Sequence, residues 1–192
     1  MLASIEYAKP LQIETELSLL LERLYGMRSY LEIGARYGGS FERIMKALGV
    51  GSRGVAVDFP GGNFGDQESA PILMAAVARL RDRGIHADVI WGPSQAPEVI
   101  ERVKAFAPFD AVMIDADHAY DAVLKDFNVY RQFATKCVIV HDIAAPDDLR
   151  SKTGKAVEVP RLWRDLQDGY FGQRFEEIIA DGSNMGFGVV WL

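Results

Sequence analysis

The chain has 192 residues, of which 49% are apolar and 25% charged, an ordinary balance for one globular domain with a substantial core. Its formal net charge of -6 argues against nucleic acid or an anionic membrane surface as the main partner, since both call for clustered Lys and Arg. A single cysteine, Cys137, leaves no disulfide framework and no cysteine metal cage. Set in the apolar run Cys137-Val138-Ile139-Val140, it reads as a buried structural thiol. The first ten residues lack a signal pattern and no apolar stretch approaches the length of a membrane span, so a cytoplasmic protein is expected.

In chain order, a helix is predicted near residues 11–25, within an N-terminal helical extension covering 1–28. A strand over 29–33 follows, then a helix over 40–48, a strand over 53–58 and a long helix over 70–83. The third strand is expected at 87–91, a helix near 97–106, the fourth strand at 111–115 and a helix near 120–133. The fifth strand is placed at 137–140. Short strands that are apolar throughout, each alternating with helix, imply a parallel sheet covered on both faces. Strands at 174–180 and 187–192 are joined by the turn Asp181-Gly182-Ser183-Asn184, too short for a parallel crossover, so an antiparallel hairpin is expected. No internal repeat breaks the chain, and 1–192 reads as one domain. Loops at 59–69 and 144–159 follow strands two and five, where open α/β sheets bind ligands, and read as lids over the site.

The first strand runs into Glu32-Ile33-Gly34-Ala35-Arg36-Tyr37-Gly38-Gly39-Ser40. Glycines there permit a sharp turn and close approach to a ligand, and the next helix offers free N–H groups. Neither a Walker P-loop nor G-x-G-x-x-G is present. Asp58 ends the second strand roughly twenty residues downstream, the place from which a carboxylate accepts ribose hydroxyls. Asp115 and the pair His141-Asp142 fall at the ends of strands that should be neighbours, with Asp117 and His118 just beyond. Two of the three histidines therefore converge with three carboxylates on the ligand crevice.

These residues carry a resemblance. Glu32-x-Gly34 with Gly38 and Asp58 is similar to the motifs of class I S-adenosylmethionine-dependent methyltransferases. Trp91-Gly92-Pro93-Ser94-Gln95 resembles the Gly-x-Ser-Gln segment of catechol O-methyltransferase-like enzymes. Asp115-Ala116-Asp117-His118-Ala119-Tyr120, with Asp126 and His141-Asp142, resembles the Asp-Gly-Asp-His-Ser-Tyr pattern of a bacterial and phage methyltransferase group, family 24-like. Ala35, Arg36 and Ala116 depart from the commonest forms of these motifs. The resemblance implies a Rossmann-like three-layer αβα sandwich, with a mostly parallel seven-stranded sheet ending in an antiparallel hairpin. It implies S-adenosylmethionine as cofactor, with Glu32 on its amino-acid portion, Asp58 on its ribose, and Gly92, Ser94 and Gln95 at its adenine. Gly34, Gly38 and Asp115 would complete the cofactor site.

The same resemblance implies a divalent cation held by Asp115, His141 and Asp142, which would acidify and orient an acceptor hydroxyl. Imidazole among the ligands suits manganese, iron or zinc better than magnesium. His118, with an ordinary pKa near 6.5, is the expected general base, with Asp115 beside it as a catalytic residue. The expected reaction is O-methylation of a small hydroxylated molecule, a sugar or natural product, in a chain open to homo-oligomer formation. A nicotinamide-dependent oxidoreductase would require G-x-G-x-x-G and an all-parallel sheet, and neither is present. A binding module without turnover would not need Asp115, His118, His141 and Asp142 together.

Overall fold

The computed structural model describes residues 12–61, 68–150, 154–169 and 172–192. Helices α1 (Glu14–Arg23), α2 (Gly39–Leu48), α3 (Ser69–Asp82), α4 (Pro97–Lys104), α5 (Tyr120–Tyr130) and α6 (Val159–Gly169) surround one sheet. Its strands are β1 (Ser29–Ile33), β2 (Arg53–Asp58), β3 (His86–Trp91), β4 (Phe109–Ile114), β5 (Ala134–His141), β6 (Arg174–Ile178) and β7 (Phe187–Trp191). They lie in the order β3-β2-β1-β4-β5-β7-β6. The pairs among β1 to β5 are parallel, and β7 is antiparallel to both β5 and β6. This is the expected sandwich, with the expected terminal hairpin.

The apolar strands are buried on both faces because successive side chains point to opposite sides of the sheet. Leu31, Ile33, Val112 and Val140 face one layer, which holds Val99 of α4, Phe127 of α5 and Leu162 of α6. Tyr30, Ala56, Met113 and Ile139 face the other, which holds Leu17 of α1, Phe41 of α2 and Leu80 of α3. Cys137 is fully buried there, and burial pushes its thiol up to about 12, so it is an inert core residue.

The structure corrects the sequence reading at several edges. The helix over 159–169 was not among the expected elements, although Val159, Leu162, Trp163 and Leu166 have helical spacing and are all buried. Strand β5 begins three residues earlier than expected, and the helix expected to reach 133 ends at Tyr130 in a 3-10 turn, Arg131–Phe133. His86, just before the strand expected at 87–91, opens β3 and is exposed. The start of the N-terminal extension at 1–11 and the loop segments 62–67 and 151–153 lie outside the described residues. No described helix is long and apolar enough to cross a membrane.

Strand β7 shows how one missing side chain fits α6 to the sheet. A Cβ at Gly188 would sit 2.5 Å from the Trp163 ring. The indole therefore lies flat on the backbone, and its Nε1–H donates to Glu177 Oε1 on β6 at 2.6 Å. Gly188→Ala must displace that ring, and chemical denaturation is expected to show a loss of about 1–3 kcal/mol, typical of an overpacked core.

Candidate active site

The carboxyl ends of β1 to β5 open onto one pocket of about 450 Å³, within the size range of cofactor sites. Gly34 sets its floor. It turns the chain at φ +94°, and a Cβ there would lie 2.2 Å from the Asp115 carbonyl oxygen. Without that Cβ the ends of β1 and β4 close together, and Asp115 N–H donates to Ile33 O at 2.8 Å. Gly38, also at positive φ, caps α2, so Gly39 and Ser40 bring the N-terminal turn of that helix to the pocket wall. Arg36 occupies the left-handed region at φ 47°, which carries strain for a long side chain. Its N–H donates to Asp58 Oδ1 at 3.0 Å.

Asp58 stands at the end of β2 with its other oxygen, Oδ2, buried and without a hydrogen-bond partner among the described residues. Burial raises its pKa, opposed by the Arg36 and Phe59 N–H groups. An acceptor held this way awaits a donor from a ligand. Next to it, Gly92 N–H donates to Asp58 O at 3.0 Å and leads into Pro93, Ser94 and Gln95, all on the pocket wall. Ser94 Oγ donates to the Asp126 carboxylate, at 2.9 and 3.0 Å from its two oxygens. Tyr130 OH holds the Ser94 carbonyl at 2.5 Å, and Gln95 Nε2 donates to Ala122 O at 3.0 Å. Asp126 is fully buried, and burial pushes its carboxyl up to about 6 against the Ser94 and Gln95 hydrogen bonds.

At the other end of the pocket the charged groups gather. His118 Nε2 lies 3.3 Å from Asp115 Oδ1 and 3.2 Å from Asp142 Oδ2. His141 Nδ1 lies 3.2 Å from Asp115 Oδ1 and 3.4 Å from Asp142 Oδ1. Asp142 reaches this place through a left-handed backbone, φ 65°, a conformation Asp tolerates better than most residues. Burial works against every charge here, but the ion pairs outweigh it at three of the four groups. Asp115 is held well below the usual carboxylate range by His141 and His118. The Asp115 carboxylate raises His118 and lifts His141 to about 9. For Asp142 burial prevails, and its pKa rises.

Three ligand atoms, one each from Asp115, His118 and Asp142, lie within 4.8 Å of one another, a set suited to a divalent cation. The imidazole in this group is His118, where the sequence reading put His141. His141 instead turns Nδ1 toward the carboxylates, while Nε2 is buried without a partner among the described residues.

Glu32 also stands differently from expectation. It is fully buried behind the pocket wall, accepting from Tyr30 OH at 2.7 Å and Ser40 Oγ at 2.5 Å. It meets the pocket only through Ser40. The sequence reading missed Gln12, whose Nε2 donates to Asp115 Oδ2 at 3.0 Å and whose Oε1 is buried without a partner among the described residues. It also missed Glu16 of α1, a buried carboxylate that accepts the N–H of Ala180 at 2.9 Å and of Gly186 at 3.2 Å. That contact holds α1 against the β6–β7 turn, whose Met185 lines the pocket with Gln12. Of the predicted lids, Phe59 lines the pocket, and Glu158 N–H donates to His118 O at 2.8 Å. Lys155 Nζ lies 3.5 Å from Asp117 Oδ2, so the later loop crosses the turn between β4 and α5.

A model of the family described as "Methyltransferase domain" matches residues 31–143. No curated protein matches the chain by sequence. Among solved structures, the O-methyltransferase from Bacillus cereus in complex with SAH is 18% identical with a TM-score of 0.69, over 96% of this chain and 83% of that one. The O-methyltransferase TomG from Streptomyces achromogenes, involved in tomaymycin synthesis and solved with SAM, is 20% identical with a TM-score of 0.62, over 93% and 78%. The fold is one shared with these O-methyltransferases, which were solved with SAH and SAM. The chain belongs to the methyltransferase-domain family.

The burial of Glu32 has a consequence for stability. In the fold burial lifts its carboxyl from 4.5 to about 7, so it keeps its proton where the unfolded chain has released one. The stabilisation is whole below pH 4.5 and is lost as pH rises to about 7. Glu32→Gln removes that slope. Denaturation of both proteins across this range should show the variant gaining ~3 kcal/mol relative to the native chain from the acid to the neutral end.

Proposed function

We propose that the protein transfers the methyl group of S-adenosylmethionine to an oxygen of a small hydroxylated acceptor. The observation that carries this reading is one pocket with two differently built ends: an unpaired carboxylate oxygen on Asp58, and the acid–imidazole group around His118. The cofactor's ribose hydroxyls would donate to Asp58 Oδ2, and its adenine would lie along Gly92, Ser94 and Gln95. Its amino-acid end would meet Ser40 and the N-terminus of α2, where N–H groups favour a carboxylate. Glu32 acts there through Ser40. The sulfonium methyl would then face the cluster around Asp115.

In the transfer, the acceptor oxygen forms a bond to the methyl carbon as the sulfur–methyl bond breaks and the sulfonium becomes a neutral thioether. The displacement is in line, so fixing donor and acceptor in one pocket supplies much of the rate. The hydroxyl proton goes to His118 Nε2, whose charged form Asp115 and Asp142 then accept from and stabilise. Asp115, His118 and Asp142 would hold a divalent cation, whose chemistry when bound is to acidify and orient the hydroxyl. With imidazole in the set, manganese, iron or zinc fits better than magnesium. The two uses of His118 exclude each other, because one lone pair serves both.

Calorimetric titration with S-adenosylhomocysteine tests the cofactor. Micromolar binding is expected, and Asp58→Ala should weaken it about 10- to 100-fold by removing charged acceptors for two hydroxyls. A folded native protein that binds none of it would overturn the reading. Repeating the titration with manganese, for the native chain and Asp142→Asn, decides between the roles of His118. Manganese binding that Asp142→Asn abolishes assigns His118 to the cation; native protein that takes up none leaves His118 as the base.

A further inference from the structure

We propose that Asp126 is a specificity-determining residue that fixes Ser94 Oγ as a hydrogen-bond acceptor, so that the pocket selects a base carrying an exocyclic amino group. The inference rests on the reading of the site as an adenosyl pocket. Asp126 belongs to α5 and, unlike Ala122 of the same helix, does not line the pocket. It is fully buried, and both its oxygens face Ser94 Oγ, at 2.9 and 3.0 Å. An ionised carboxylate only accepts, and a serine hydroxyl has one proton to give. That proton is committed to Asp126, and the Ser94 hydroxyl can offer the pocket nothing but lone pairs.

The rest of the loop leaves little freedom to undo this. Tyr130 OH donates to the Ser94 carbonyl and Gln95 Nε2 to Ala122 O, which holds the chain just after the hydroxyl-bearing carbon. On the adenine edge N1, N3 and N7 are acceptors, and the N6 amino group is the donor. A purely accepting Ser94 hydroxyl therefore pairs with N6, and at that same position it would meet the O6 of hypoxanthine or guanine with lone pair against lone pair. The base is chosen by a residue that never touches it.

The proposal predicts a specific reversal. Asp126→Asn keeps the shape but presents an amide, whose NH₂ can donate to Ser94 Oγ and turn the hydroxyl proton outward. Binding of S-adenosylhomocysteine and S-inosylhomocysteine is measured by calorimetry at pH 7.5 for the native chain, Asp126→Asn and Ser94→Ala, with circular dichroism and melting as checks of folding. The native chain should prefer the adenosyl compound by about tenfold or more, the cost of one mismatched hydrogen bond. In Asp126→Asn that preference should collapse, through a loss of adenosyl affinity with inosyl affinity held or improved. Ser94→Ala, which leaves Asp126 in place, should level the two ligands as well. A folded Asp126→Asn or Ser94→Ala that keeps the native ratio overturns the assignment, as does a native chain without the preference. If the native chain binds neither compound, the functional reading itself falls and this inference falls with it. If it binds the adenosyl compound and the ratio survives substitution, only the role of Asp126 is lost.

Discussion

The close passage of Gly34 past the Asp115 carbonyl is the constraint on which the rest of the site depends. A Cβ at Gly34 would lie 2.2 Å from that oxygen, against two covalently rigid backbones with no flexible side chain to yield. Because the glycine is bare, β1 and β4 stay paired to their last residues, and the chain after β1 bends over β2 so that Arg36 N–H finds Asp58. The same passage sets where the Asp115 side chain emerges. Both ends of the pocket are thus positioned from one point in the middle of the sheet, where strand order reverses between β1 and β4.

The two ends solve opposite electrostatic problems. Around Asp58 and Asp126 carboxylates are buried with hydroxyl and amide donors but without a cation in hydrogen-bond contact, so burial dominates and both pKa values rise. Around Asp115 two imidazoles stand within 3.4 Å of carboxylate oxygens, and Asp115 stays ionised despite complete burial. A half whose carboxylates are met by hydroxyl and amide donors and a half whose carboxylates are met by imidazoles therefore share one cavity. Separation of recognition from chemistry follows from where the histidines fall, at the ends of β4 and β5 and nowhere else along the pocket.

Much of the fold was legible because each layer obeys a local rule. Strands buried on both faces read as unbroken apolar runs such as Val138-Ile139-Val140, and Asp181-Gly182 announces the final turn. The position of Gly34, Asp58, Asp115, His118 and Asp142 on the pocket was legible because the carboxyl ends of strands in such sheets face the crevice. Helix α6 was readable from its spacing, yet the polar stretch before it drew attention away. What sequence could not supply were pairings set by tertiary distance. Gln12 meets Asp115 from 103 residues away, and no local pattern marks it. Glu32 sits in the right motif, but only packing shows that Tyr30 and Ser40 occupy both its oxygens. Neighbouring strand ends predicted a cluster; which imidazole nitrogen turns toward which carboxylate had to be seen.

The grip of Glu16 on the backbone of Ala180 and Gly186 has a consequence for the order of assembly. The helix that carries this carboxylate precedes the sheet in the sequence, and its partners lie 164 and 170 residues later. The βα units between them close over short separations, whereas α1, though packed on α2, lacks its Glu16 anchor until the last hairpin has been made. Its docking also delivers Gln12 to Asp115. The pocket is therefore completed from two segments far apart in the sequence, and a polypeptide cut before β7 would lack the partners that seat Glu16 and the residue, Met185, that lines the pocket beside Gln12.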